Sequence, residues 1–194
     1  MLRAVLLSLA LLLAGCSPSQ EAVHFNATDI TGADWGRDFH LTDSSGKPRS
    51  LTDFKGKVVM LFFGYTQCPD VCPTTMTRFG QVVKLLGQDA VRVKVLFVTL
   101  DPERDTPELL TQYTTAFNPD FLALTGSPET IAATAKDFKV FYQKQPGSAP
   151  GRYTIDHTAA NYVFDAAGRL RLFIRDGETP AQIVDDLKVL LAGR

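Results

Sequence analysis

The sequence predicts a three-layer α/β sandwich built around a mixed sheet, and three features point to it. Two apolar runs, residues 58–63 and one carried within 91–100, lack the alternation of a half-exposed strand, as expected of strands buried on both faces. Segments of helical period lie between such runs, three of them opening with Ser or Thr followed by Pro. The chain then closes on a strand–turn–strand pattern and a final amphipathic helix. A length of 194 residues suits one domain of this kind.

Residues 1–15 stand outside that fold. Arg3 is their only charge, and residues 4–14 are apolar except for Ser8, about half the length that spans a bilayer as a helix. The run ends Leu13-Ala14-Gly15-Cys16, the pattern of a bacterial lipoprotein signal peptide whose Cys16 sulfur takes the lipid. Residues 16–29 read as a lipidated tether, polar at first, and residues 30–194 as the domain. The chain is expected in the bacterial cell envelope, held to the membrane by lipid with its domain outside the cytoplasm. Disulfides persist there.

Within the domain, residues 38–42 and 49–51 flank Asp43-Ser44-Ser45-Gly46-Lys47-Pro48, an N-terminal hairpin signal. The central strand 58–63 leads into a turn holding Cys68 and Cys72. A helix over 73–86 follows, with Met76, Phe79, Val83 and Leu86 on one face and Gly87 as its stop. By analogy with Thr106-Pro107, Ser127-Pro128 and Thr179-Pro180, the Cys72-Pro73 pair places Cys72 at the N-cap. The second central strand ends near Leu100, and a short third covers 121–124. Residues 139–156 interrupt the pattern and read as an inserted hairpin with a mobile tip, placed before a loop that carries His157. Residues 162–164 and 170–174 form the last hairpin, and Thr179 with Gln182 makes a capping box for the last helix. Strand, Cys-bearing turn, helix is the order of a thioredoxin-like fold.

The charge balance excludes one class of partner. Lys and Arg number 20 against 21 Asp and Glu, so a basic surface for nucleic acid is not expected. With 45% hydrophobic residues and 13 Phe, disorder is excluded too.

Three cysteines leave one without an intramolecular partner unless Cys16 is used separately. Cys68 and Cys72 then remain, four positions apart. Cys72 lies against a helix N-terminus, which favours a thiolate there and serves thiol–disulfide exchange and metal ligation alike. The spacing is one residue wider than the C-x-x-C of thiol oxidoreductases, leaving room for two sulfurs to face one ion. A plain disulfide staple is the weaker explanation, since so short a loop stabilises by roughly 2 kcal/mol. His157, expected opposite the turn, is the candidate third ligand; His24 and His40 have no such placement. Two thiolates and an imidazole suit Cu(I), or Cu(II) with a fourth ligand, better than zinc. If the chemistry is redox instead, Cys68 and Cys72 are the catalytic pair. Asp101, at the same sheet edge, is either a supporting carboxylate behind the ligands or a turn residue. Asp70 either tunes the cysteines or meets a partner. Arg104 and Asp105 are expected to pair locally on the surface.

These residues together resemble the Sco/SenC family of cytochrome c oxidase assembly proteins. The resemblance runs from about Ile30 to Leu191. It rests on Thr31-Gly32-Ala33-Asp34-Trp35-Gly36, Cys68-Pro69-Asp70-Val71-Cys72-Pro73, Asp101-Pro102-Glu103-Arg104-Asp105-Thr106-Pro107 and Asp156-His157. It implies a copper-binding, monomeric thioredoxin-like domain with ligands at Cys68, Cys72 and His157. It also implies a metallochaperone role at the CuA centre of an oxidase subunit, the partner being that subunit or its copper chaperone. The alternative is a thiol–disulfide oxidoreductase that reduces the subunit's cysteines. Family members commonly carry a membrane helix, so a lipobox changes the anchor and keeps the anchoring.

Overall fold

The computed structural model describes residues 23–147 and 152–194. The expected signal peptide, Cys16 and the tip of the inserted hairpin lie outside the described residues. Among those described, no helix is long and apolar enough to cross a membrane.

Strand β1 (Thr28–Asp29) is followed by the hairpin β2 (His40–Asp43) and β3 (Pro48–Ser50), then the central strand β4 (Val58–Gly64). Helix α1 (Val71–Leu86) leads to β5 (Val93–Thr99), α2 (Pro107–Phe117), β6 (Leu122–Thr125) and α3 (Pro128–Asp137). The hairpin β7 (Tyr142–Pro146) and β8 (Tyr153–His157) precedes β9 (Asn161–Phe164), β10 (Leu170–Ile174) and α4 (Pro180–Leu191). Eight strands form one sheet in the order β1-β10-β9-β4-β5-β6-β2-β3, while β7 and β8 pair only with each other. Strands β4, β5 and β6 are parallel; β9 runs antiparallel against β4.

All of β4 is buried, and its side chains alternate between two cores. Val58, Met60 and Phe62 meet α1, α2 and α4 through Met76, Phe79, Leu110, Ile183 and Leu187. Val59, Leu61 and Phe63 meet the other layer, where Ile131, Ala135, Phe138, Phe39 and Phe54 pack. This is the expected three-layer sandwich. Thr106, Ser127 and Thr179 each cap a helix with a side-chain oxygen, and the Thr179–Gln182 capping box is formed.

Three local expectations change. The fold reaches back past residue 30: Phe25 and Ala27 are buried, and β1 pairs with β10. Asp186 of α4 pins this segment by accepting the Asn26 and Ala27 backbone N–H groups, each at 2.8 Å. Helix α1 starts two residues earlier than expected, with Asp70 at the N-cap and Cys72 inside the first turn. Pro73 permits this because a first-turn N–H has no intrahelical acceptor to lose. The bond from Thr74 N–H to the Asp70 carbonyl opens the ladder. His157 is the last residue of β8 rather than part of the loop beyond the hairpin.

Candidate metal centre

The C-terminal end of β4 is where the two halves of the site meet. Gly64 ends the strand, Tyr65 is buried behind it, and the turn through Cys68 runs into α1. A helix is amphipathic by period, so with Met76 and Phe79 facing the core, Cys72 faces it as well. Its sulfur is fully buried against β4, so close that a Cβ on Gly64 would stand 2.8 Å from Sγ. Only glycine leaves that space. Cys68, on the turn above, is half-exposed.

The β7–β8 hairpin brings His157 to the same place. Its Nε2 lies 3.6 Å from Cys72 Sγ, and the ligand atoms of Cys68, Cys72 and His157 all lie within 4.8 Å of one another. Nδ1 lies 3.1 Å from the Thr158 carbonyl oxygen, which can only accept, so Nδ1 donates there and Nε2 is the nitrogen that faces the sulfurs. The rings of Phe62 and Tyr65 flank the imidazole, with centroids 6.4 and 6.0 Å away. An open groove of about 300 Å³ reaches Cys68 and His157, edged by Pro69, Asp70, Val71 and Asp156.

Both cysteines are free, and their environments drive them apart. The Cys72 thiol donates to the Cys68 sulfur, which is the main reason the Cys68 thiol falls to about 3 despite partial burial. His157 and the backbone N–H groups of Asp70 and Cys72 add to the effect. The same hydrogen bond, together with burial, drives the Cys72 thiol upward. The pair therefore holds one proton and one negative charge. The expectation that the helix N-terminus would activate Cys72 is reversed: the Cys72 N–H points at Cys68 Sγ, 3.4 Å away, so Cys68 receives the benefit.

The two carboxylates considered from sequence separate. Asp70 is exposed, its backbone starting α1. Asp101 is fully buried, where it accepts from Tyr153 Oη at 2.7 Å and from Arg104 Nε. It reaches the site through Tyr153, four residues before His157, not by contact with a sulfur. Asp105 is the residue sequence reasoning misplaced. It is buried and accepts from Thr66 N–H at 3.1 Å, Thr66 Oγ1 at 2.5 Å and Thr99 Oγ1 at 2.6 Å, tying the cysteine turn to the end of β5. The one signal available was its place beside Asp101 at the sheet edge.

Two soft sulfurs and an imidazole, reachable from solvent on the Cys68 and His157 side, form a donor set for a thiophilic metal held exchangeably. Residues 27–192 match the SCO1/SenC family model. The chain belongs to the SCO1/SenC family. It is similar to a SCO2-like protein of Rickettsia felis, 36% identical over 155 residues, covering 79% of this chain and 75% of that one. It also resembles the structure of Bradyrhizobium japonicum ScoI with copper bound, 40% identical with a TM-score of 0.73, over 79% of this chain and 98% of that chain. A SCO1/SenC family lipoprotein from Bacillus anthracis is 26% identical with a TM-score of 0.71, over 86% of this chain and 99% of that one.

Proposed function

We propose that this protein is a copper metallochaperone that serves the CuA centre of a cytochrome c oxidase, with copper as its cargo. The observation that carries this reading is the convergence of Cys68, Cys72 and His157 to within 4.8 Å, with Cys68 and His157 lining an open groove and Cys72 buried beneath them. The Bradyrhizobium relative, which shares the fold, holds copper. Three ligands on two independent elements grip one ion while leaving a side open, so an acceptor's ligands can enter before the donor's leave. Cys68, the more exposed sulfur, is the natural point of exchange, and Cys72 the buried anchor.

The test is a copper titration of the protein read by absorption, repeated on His157→Ala. One copper per chain is expected, with sulfur-to-Cu(II) charge-transfer bands that the variant loses or shifts. Unchanged affinity and spectrum in His157→Ala would refute the three-ligand site.

A thiol–disulfide role is favoured by a different observation, the half-buried thiolate at Cys68 beside a buried protonated Cys72. Cys68 would attack a target disulfide to form a mixed disulfide and release one target thiolate. Cys72, losing its proton, would then displace the second, so the target gains two electrons and the pair becomes a disulfide. Turnover by metal-free protein, undiminished in His157→Ala, separates this role from delivery.

The lipid anchor at Cys16 belongs to the same proposal. It places the domain on the outer side of a bacterial membrane, next to its acceptor. The Bacillus anthracis relative is a lipoprotein. Replacing Cys16 with Ser should move the protein from the membrane to the soluble envelope fraction.

A further inference from the structure

Among the described residues, the β7–β8 hairpin shares no ladder with the main sheet. His157 is therefore held opposite the cysteines only as firmly as the hairpin is docked. Ile155 is buried in the core, and one residue of the β5–α2 connection adds a group of polar contacts to that docking. Arg104 donates through Nε to the buried Asp101 carboxylate, and through Nη1 to the Tyr153 carbonyl at 2.9 Å and to Gln67 Oε1 at 3.3 Å. Its guanidinium carbon lies 3.5 Å from the centroid of the Tyr153 ring. Tyr153 Oη closes the circuit on the other Asp101 oxygen at 2.7 Å.

The positions of these partners matter. Gln67 immediately precedes Cys68 on the turn, and Tyr153 begins the strand that His157 ends. Arg104 thus bridges the sulfur-bearing and imidazole-bearing halves of the site while touching neither a sulfur nor the ring. The Arg104 side chain is 20% exposed and that of Asp101 0%, so the pair is largely removed from water, where charge-assisted hydrogen bonds are strong. A planar fork can serve three acceptors while lying flat on a tyrosine; an ammonium cannot. Of the other ties to the hairpin, the Lys144–Glu103 pair is exposed and weak. The Ile155 N–H donates to Tyr65 Oη at 3.2 Å.

We propose that Arg104 is the positioning residue of the copper site, clamping Gln67 and Tyr153 onto Asp101 so that His157 stays within ligand reach of both sulfurs and copper leaves slowly. The inference rests on the copper reading of Cys68, Cys72 and His157. Loosening the clamp frees the imidazole arm, while Cys72 stays in the first turn of α1 with its N–H on Cys68 Sγ.

The experiment measures Cu(I) release into a colorimetric chelator from wild type, Arg104→Lys, Arg104→Ala, His157→Ala and the Arg104→Ala/His157→Ala double variant. Hydrogen exchange at the Ile155 amide is followed in metal-free protein. Arg104→Ala is expected to bind one copper, release it about tenfold faster and exchange Ile155 about tenfold faster, with Arg104→Lys in between. In the His157→Ala background the Arg104 change should add nothing, because the arm it positions is gone. A general loss of stability would accelerate release in both backgrounds. Equal acceleration with and without His157, or release within about twofold of wild type, overturns the proposal. Should Arg104→Ala fail to fold, Arg104→Lys and Gln67→Ala carry the same comparison. Wild-type protein that binds no copper refutes the underlying reading, and the inference with it.

Discussion

His157 Nε2 stands 3.6 Å from Cys72 Sγ, although 85 residues of chain separate them. The two come from separate elements: Cys72 from the helix after the central strand, His157 from a hairpin outside the main sheet. Their meeting gives the site one ligand that is rigid and buried, one on an exposed turn, and one on an arm.

Copper binding should release close to one proton per ion between pH 7 and 8. In the free protein Cys68 is already a thiolate and Cys72 carries the shared proton. An ion bound by both sulfurs must displace that proton, so affinity rises about tenfold per pH unit in this window. Calorimetry in buffers of different ionisation enthalpy counts the protons. A value near zero would mean that Cys72 is not a ligand, and near two that Cys68 is not ionised beforehand.

The two thiols should differ sharply towards an alkylating reagent. Cys68 is half-exposed and ionised, whereas Cys72 is buried and protonated. Because the thiolate is the nucleophile, metal-free protein at pH 6 should take its first label at Cys68. Peptide mass spectrometry after partial labelling decides it, and a majority of label on Cys72 would invert the assignment.

Gly64→Ala should damage both fold and site. The new methyl group would sit 2.8 Å from Cys72 Sγ, 2.9 Å from Phe62 Cε1 and 3.0 Å from Phe97 Cε2. Overpacking of this kind costs about 1–3 kcal/mol. Urea unfolding measures that loss, and the copper charge-transfer band should move because Cys72 is the displaced neighbour. A variant with wild-type stability and spectrum would show that the space is not needed.

Asp105→Ala should loosen the cysteine turn. It strands the Thr66 N–H and the hydroxyls of Thr66 and Thr99, a cost of about 1–3 kcal/mol in unfolding free energy. Asp105→Asn, which keeps one acceptor, should lose less. Denaturant midpoints of the two variants give the order, and equal loss would point to charge rather than hydrogen bonding.

Much of this molecule was legible without coordinates. The apolar run at 58–63 could only be a two-sided buried strand, and the Ser/Thr-Pro pairs marked three helix starts correctly, because both signals are local. The Cys72-Pro73 pair looked the same but differed by two residues, since proline is tolerated anywhere in a helix's first turn. Strand β1 went unseen because two residues carry no period; Phe25 and Ala27 are in the fold through contacts with α4 and β10.

The site divides the same way. Sequence by itself offered the candidate donor set, because residue chemistry and the four-residue spacing of the sulfurs are properties of the chain: two thiols on one turn, and a histidine expected in a loop after a hairpin. Tertiary structure decided which sulfur is ionised, since burial against Gly64 and Phe97 makes Cys72 the donor and Cys68 the acceptor. It also decided that Asp105 is a buried anchor and Arg104 a bridge, not a surface pair. Charge and hydrogen bonding over a few ångströms set those roles, and only the packing of β5, α1 and the hairpin brings such distances about.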